Sequence, residues 1–174
     1  MTTVIRPARP TDHEAIDATV RRAFGDEGAA VATMVREIRH GEFALPAYEF
    51  VAEEDGQVIG HVCLTGTTLH GADGSTQIIT MLSPLSVEPG RQGGGIGSAL
   101  VRQVLQTAAD NAVPFVVLEG SPAYYRRFGF TPAAAVGIVL PIPDWAPPEA
   151  AQIAVLDPGA TVPAGRVEYP AYVP

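Results

Sequence analysis

The sequence QGGGIGSAL, residues 92–100, stands at the junction between an apolar segment and an amphipathic one. The apolar segment, residues 78–87, precedes the glycines and predicts a β-strand. After them, Ile96, Leu100 and Val104 recur every four residues, which predicts a helix with one buried face. The glycines therefore lie where a strand passes into a helix N-terminus, and unpaired N–H groups there attract anions. We expect this turn to hold a diphosphate.

Three ligand-binding motifs share this strand–turn–helix arrangement, and two of them fit poorly. A P-loop carries a lysine before serine or threonine at the helix entrance, whereas here Gly97 precedes Ser98 and no lysine is nearby. A dinucleotide-binding fingerprint fits better, because Glu119 follows at a suitable distance, but its third glycine position holds Leu100. That fingerprint also usually opens a domain, and roughly eighty residues precede this turn.

The third motif agrees with the residues on both sides of the turn. Residues 87–97, VEPGRQGGGIG, resemble motif A of the GCN5-related N-acetyltransferases (GNAT), a Gln/Arg-x-x-Gly-x-Gly/Ala signature after a strand ending in Val-x-Pro. Residues 125–130, YRRFGF, resemble the Tyr-x-x-x-Gly-Phe ending of motif B in the same superfamily. Together with Pro122 and Ala123, this second match is most similar to the YhbS-like branch. The resemblance covers roughly residues 3–135.

The resemblance implies the GNAT fold, an α/β fold with a mixed sheet. Its N-terminal strands are mostly antiparallel, a parallel pair at the centre splays apart, and helices flank the sheet. Residue patterns agree: the Asp55–Gly56 pair predicts a tight hairpin turn between strands near 48–53 and 58–64. The apolar segment 115–118 suits a buried strand parallel to 75–87, reached by a right-handed crossover.

We predict one N-acetyltransferase domain over residues 1–174. Residues 1–135 form the clear family core, and residues 136–174 are proline-rich. Apolar islands near 137–140, 152–156 and 166–169 predict short strands that complete the domain.

The resemblance also implies that the chain uses acetyl-CoA as cosubstrate and needs no metal. The pyrophosphate then lies on the N–H groups of the glycine turn, and the pantetheine arm runs along the splayed strand. The cofactor-binding residues implied in this way are Leu85, Ser86, Val87, Gln92, Gly93, Gly94, Gly95, Ile96, Gly97, Ser98 and Ser121. Ser121 replaces an asparagine that many relatives carry at the start of motif B.

The same resemblance implies an N-acetyltransferase that moves an acetyl group to a primary amine by direct attack. Tyr125 stands where the family places the tyrosine that protonates the CoA sulfur. Glu119 ends the second parallel strand and is the candidate general base. Glu49, Glu53 and His13 are weaker candidates, and a chain of waters is a further alternative. The rival functions are a non-catalytic acyl-CoA-binding module and a nucleotide-binding oxidoreductase.

Composition narrows the class of partner. The 174-residue chain has a formal net charge of −8, which disfavours nucleic acid and anionic membranes and favours a cationic acceptor, either a small molecule or a peptide amine. A single cysteine, Cys63, fits a reducing compartment, and the sequence shows no leader or apolar run of membrane-spanning length. We therefore expect a cytoplasmic protein, with a homodimer as one possible assembly.

Overall fold

The computed structural model describes residues 2–174. It contains helices α1 (His13–Phe24), α2 (Gly28–His40), α3 (Ile96–Asp110) and α4 (Pro122–Tyr125). Its strands are β1 (Thr3–Pro7), β2 (Ala44–Glu54), β3 (Gln57–His70), β4 (Thr76–Val87), β5 (Phe115–Glu119), β6 (Thr131–Pro132), β7 (Ile138–Val139), β8 (Ala151–Val155) and β9 (Gly165–Glu168).

The chain divides into two compact units. Unit 1 comprises residues 2–65, 83–107 and 174, and unit 2 comprises residues 66–82 and 108–173. The strands β3 and β4 and the helix α3 each contribute residues to both units. The expectation of one domain stays a prediction.

Unit 1 is an antiparallel ladder covered by helices. The strand β1 pairs with β2, and β2 pairs with β3 through a hairpin whose turn residues Asp55 and Gly56 both have positive φ. This is the backbone geometry that the Asp–Gly pair predicts. The apolar positions of the helices are buried as their four-residue spacing predicts, and the unit's larger core residues are Ile16, Val20, Met34, Val35, Ile38, Phe50, Val51, Val62, Leu64, Leu100, Val101 and Val104.

Unit 2 is a mixed ladder. The strand β4 pairs in parallel with β5 at two positions, Thr80 with Val116 and Met81 with Val117. The strand β8 pairs antiparallel with β5 and with β6, while β9 pairs antiparallel with the end of β3 and in parallel with β7. Its core residues are Leu69, Ile79, Met81, Phe115, Val117, Ala133, Ile138, Leu140, Ala151, Ile153 and Val167. The predicted mixed α/β sheet and the three C-terminal strands are confirmed.

Candidate active site

The glycine turn lies between the end of β4 and the start of α3. Gly93 and Gly95 have φ of +79° and +86°, a region of backbone conformation that side-chain-bearing residues rarely adopt. A Cβ built on either glycine meets no atom within 4 Å, so the space in front of both residues is open. The turn therefore needs glycine for its backbone conformation, and it presents main chain to open space.

The first turn of α3 supplies the donors. The first helical hydrogen bond links the N–H of Ala99 to the carbonyl of Gly95 at 3.0 Å. The N–H groups of Ile96, Gly97 and Ser98 precede that bond, so they have no carbonyl one turn earlier to bind. With the positive end of a 15-residue helix behind them, they favour an anion.

Side chains of unit 1 hold the turn in place. The Gln92 side chain donates to the carbonyl of Val87 at 3.1 Å, which ties the turn to the end of β4. Arg91 donates to the buried carboxylate of Glu54, with 2.6 Å between Nη2 and Oε1. The backbone N–H of Glu88 donates to the carbonyl of Ile59 at 2.9 Å. The predicted cofactor residue Gln92 thus uses its amide group to support the turn.

The end of β4 carries three further predicted cofactor residues, Leu85, Ser86 and Val87. The parallel register between β4 and β5 stops at Met81 and Val117, although β4 continues to Val87 and β5 to Glu119. Ser86 is 3% exposed, and its hydroxyl has no hydrogen-bond partner among residues 2–174. An open glycine turn and a buried hydroxyl that lacks a partner both fit a polar ligand such as coenzyme A.

Tyr125 belongs to an aromatic cluster in unit 2. Its ring makes edge-to-face contacts with Tyr124 and Phe130, at centroid distances of 4.9 and 5.7 Å. Burial, and secondarily Tyr124, raise the pKa of Tyr125. Such a phenol stays protonated, which suits a proton donor. The Ser121 hydroxyl accepts the N–H of Tyr124 at 3.4 Å and caps α4, a structural role for another predicted cofactor residue.

Gly120 joins the Tyr125 ring to the end of β5. A Cβ on Gly120 would lie 2.7 Å from Cε2 of Tyr125, so the ring lies directly over this backbone. The Gly120 N–H donates to Ala150 at 2.9 Å, and its carbonyl accepts the side chain of Gln152 at 3.0 Å. Gln152 is only 2% exposed. The structure thus brings the segment that carries Glu119 against the ring of Tyr125.

Glu119 has a partner that the sequence did not reveal. The Tyr169 hydroxyl donates to Oε2 of Glu119 at 2.7 Å. Burial, together with the bond to Glu119, raises the pKa of Tyr169, so its hydroxyl remains a donor. A strand was predicted near residues 166–169, but only the structure shows that Tyr169, directly after β9, reaches the carboxylate of Glu119. We call Glu119, Gly120, Tyr125 and Tyr169 the strand-end cluster.

The weaker base candidates have other partners in unit 1. His61 Nε2 lies 2.9 Å from Oε1 of Glu49, and Arg39 Nη2 lies 2.6 Å from the same oxygen. Burial alone would raise the pKa of Glu49, but the hydrogen bonds from His61 and Arg39 outweigh it and bring the pKa to about 2. Glu53 accepts the Arg6 side chain at 2.8 Å. Burial and Arg39 lower the pKa of His13. We call Arg39, Glu49 and His61 the ion-pair centre.

Among residues 2–174, no group of three or more histidine, cysteine, aspartate or glutamate side chains is placed to hold a metal ion. Within the same residues, none of the helices has the length and apolar character that crossing a bilayer requires.

Sequence comparison places the glycine turn and motif B inside one matched segment. The family model of the acetyltransferase (GNAT) domain matches residues 4–133. The uncharacterized N-acetyltransferase YhbS of Escherichia coli K12 is 36% identical over 131 residues, which are 75% of this chain and 75% of that protein. The uncharacterized N-acetyltransferase YjhQ of the same strain is 33% identical over 113 residues, 65% of this chain and 61% of YjhQ.

Solved structures agree with the sequence matches. A GNAT family acetyltransferase from Brucella melitensis in complex with acetyl-CoA matches with a TM-score of 0.78 and 30% identity, covering 99% of both chains. The E. coli YhbS structure in complex with CoA matches with a TM-score of 0.82 and 31% identity, covering 98% of this chain and 91% of that one. The resemblance and the fold predicted from the two motifs are confirmed.

Proposed function

Because the chain belongs to the GNAT family of acetyltransferases, we propose that it transfers the acetyl group of acetyl-CoA to a primary amine by direct attack. The observation that carries this proposal is the open glycine turn at Gly93 and Gly95, which presents backbone donors ahead of α3. Related structures contain acetyl-CoA or CoA. The formal net charge of −8 favours a cationic acceptor at long range.

Coenzyme binding assigns distinct tasks to the predicted residues. The N–H groups of residues 92–97 bind the pyrophosphate, and the backbone of Leu85 and Val87 pairs with the pantetheine amides. The buried Ser86 hydroxyl is a polar group that such a ligand can satisfy. The side chains of Gln92 and Ser121 support the backbone around them.

The chemistry requires three proton transfers. Glu119 accepts a proton from the acceptor ammonium, so that the neutral amine attacks the thioester carbonyl. The new C–N bond forms as the C–S bond breaks, and Tyr125 donates its phenolic proton to the departing thiolate. The raised pKa of Tyr125 keeps that proton in place before the reaction. The acetylated nitrogen then loses its second proton to the Tyr125 phenolate, and Glu119 releases its proton to solvent, so the balanced products are an acetamide, free CoA and one proton.

Coenzyme binding can be tested by thermal melts. CoA should raise the melting temperature of the protein, because a ligand that binds only the folded state stabilises it, and NAD should not. Gly95→Trp should abolish the CoA effect, because the side chain enters the open space and the positive φ disfavours it. Gly90→Trp is the matched control: Gly90 has no unusual φ and open space around it, and the variant should keep the CoA response. Stabilisation by NAD alone would favour the oxidoreductase.

Turnover separates an enzyme from a binding module. We would measure the release of free CoA with spermidine, hydroxylamine and Nα-acetyl-lysine amide as amine probes. Tyr125→Phe should lower kcat about 100-fold while leaving acetyl-CoA affinity nearly unchanged. Full activity of that variant would remove Tyr125 as the acid. A wild-type protein that binds CoA and releases none with any probe would instead be a non-catalytic acyl-CoA-binding module.

A further inference from the structure

We propose that Tyr169 is a positioning residue that holds the Glu119 carboxylate in the orientation in which it accepts the proton of the amine. This inference rests on the proposed function, because it assumes that Glu119 is the base. Tyr169 lies outside residues 4–133, the segment that the family model matches. The assignment therefore comes from the contact that this chain makes.

In this contact the flexible side chain of Glu119 is held by the packed side chain of Tyr169. Glu119 is exposed at the last position of β5, where a glutamate side chain has several rotamers available. Tyr169 is half-buried and packs against the core of unit 2. Its ring therefore sets the position of its hydroxyl, and the 2.7 Å bond to Oε2 restricts the carboxylate. The planar carboxylate then presents Oε1 in a defined direction.

The backbone on both sides of this contact is tied into paired strands. Glu119 is opposite Ala151 in the ladder of β5 and β8. Just before Tyr169, Glu168 is opposite Thr68, and its carbonyl accepts the Thr67 hydroxyl at 2.8 Å. Because both ends are anchored, the contact between residues 50 positions apart does not depend on a loose terminus.

The chemical type of the donor also matters. A phenol is neutral, so it orients one carboxylate oxygen without adding the positive charge that an arginine would bring. Burial and the Glu119 contact both raise the pKa of Tyr169, so the hydroxyl keeps donating across the neutral pH range. A base held by a neutral donor keeps its capacity to accept a proton, and the second oxygen is left for the amine.

The test is a double-mutant cycle on turnover. Tyr169→Phe keeps the ring in the core and removes only the hydroxyl. We expect kcat for CoA release with the probe spermidine to fall about tenfold, while KM for acetyl-CoA changes less than about twofold. Added to Glu119→Gln, the same change should cost nothing further, because no base remains to be oriented. Tyr172→Phe, the same chemical change three residues later, is the control, and its effect should be additive with Glu119→Gln.

Each outcome supports or overturns the inference. Wild-type kcat in Tyr169→Phe, or an additive loss in the double variant, overturns it while leaving the acetyltransferase proposal intact. If wild-type protein binds CoA but acetylates none of the three probes, the proposed function fails and the inference fails with it. Should Tyr169→Phe fold poorly, Tyr169→Met replaces it: the flexible apolar side chain can fill the space of the ring, lacks the hydroxyl, and should show the same kcat loss with unchanged acetyl-CoA KM.

Discussion

The ion-pair centre of unit 1 and the strand-end cluster of unit 2 each contain one glutamate with a hydrogen-bonding partner, and the partners differ in charge. Glu49 is 12% exposed and receives hydrogen bonds from a guanidinium and an imidazole. Glu119 is exposed and receives one bond, from a neutral phenol. Glu49 and Glu119 both lie on strands, but their electrostatic surroundings are therefore very different.

This difference in partners indicates a structural role for Glu49 and agrees with the role of base proposed for Glu119. A carboxylate that accepts from a guanidinium and an imidazole, and whose pKa is about 2, binds protons too weakly to serve as a base near neutral pH. Its bonds to Arg39 and His61 instead stabilise the packing of α2 on β2 and β3. The exposed carboxylate of Glu119 accepts from the neutral Tyr169 hydroxyl through Oε2, which leaves Oε1 available to a substrate. The comparison predicts that Glu49 changes affect the free energy of unfolding and Glu119 changes affect turnover.

The largest expected effect is on stability. Glu49→Gln should lower the free energy of unfolding by about 3 kcal/mol, because the largely buried guanidinium of Arg39 loses the charge that compensates its burial. Urea denaturation measures this. Folded protein at a permissive temperature should retain near-wild-type kcat.

The matched control is Glu168→Gln, which removes the carboxylate from the exposed contact between Glu168 Oε2 and His70 Nε2, 2.6 Å apart. This change should cost less than about 0.5 kcal/mol. A Glu49→Gln variant that is as stable as this control would contradict the structural role of the ion-pair centre.

The next effect is on catalysis. Glu119→Gln should lower kcat about 100-fold, because an amide cannot accept the amine proton. Its unfolding free energy should change by less than about 0.5 kcal/mol, since the amide oxygen can still accept from Tyr169. The pH dependence of kcat should also flatten on the acid side. An unaltered pH–rate profile means that another group is the base.

Acid sensitivity of folding sharpens the same contrast. Glu49 has a pKa of about 2 in the folded chain against an ordinary value of 4.5, so the unfolded chain binds its proton more readily. The stabilisation is complete above about pH 4.5 and is lost as the pH falls through about 2. Urea melts between these pH values should therefore show a shallower loss of stability in Glu49→Gln than in wild type. Equal slopes would contradict the assignment of acid sensitivity to Glu49.

The smallest effect concerns the geometry of the strand-end cluster. Gly120→Ala places a methyl group 2.7 Å from the Tyr125 ring, so the ring must shift. We expect kcat to fall about tenfold with CoA binding retained, because a misplaced acid slows proton transfer. Gly159→Ala is the control, since its Cβ would meet only Asp157 at an ordinary 3.4 Å. If both variants turn over like wild type, Tyr125 does not need its observed position.

Local sequence predicted the elements whose signals lie within a few residues. The Asp55–Gly56 turn, the helical face of Ile16 and Val20, and the strand islands of residues 136–174 agree with the structure. The strand β6 was not predicted, because Thr131 and Pro132 carry no strand signal. They form a strand only through their partners on β8, Ile153 and Gln152.

The candidate site also contains some residues that local sequence predicts and others that it does not. The glycine turn follows from the sequence, because Gly93 and Gly95 combine the required backbone freedom with a position before an amphipathic helix. Tyr125 and Glu119 were named from motif and strand position. The roles of Gln152 and Tyr169 were not, because hydrogen bonds across 32 and 50 positions leave no local pattern in a single sequence.

The sequence by itself determined the family, through its two motifs. It also determined the mixed sheet and the open glycine turn, because these follow from the spacing of apolar residues and the backbone freedom of glycine. Only the tertiary structure decided which carboxylate is buried beside a guanidinium and an imidazole and which stays exposed beside a phenol. Burial and charge act through neighbours in space. The packing of α2 that brings Arg39 to Glu49, and the chain path after β9 that brings Tyr169 to Glu119, are properties of the folded chain.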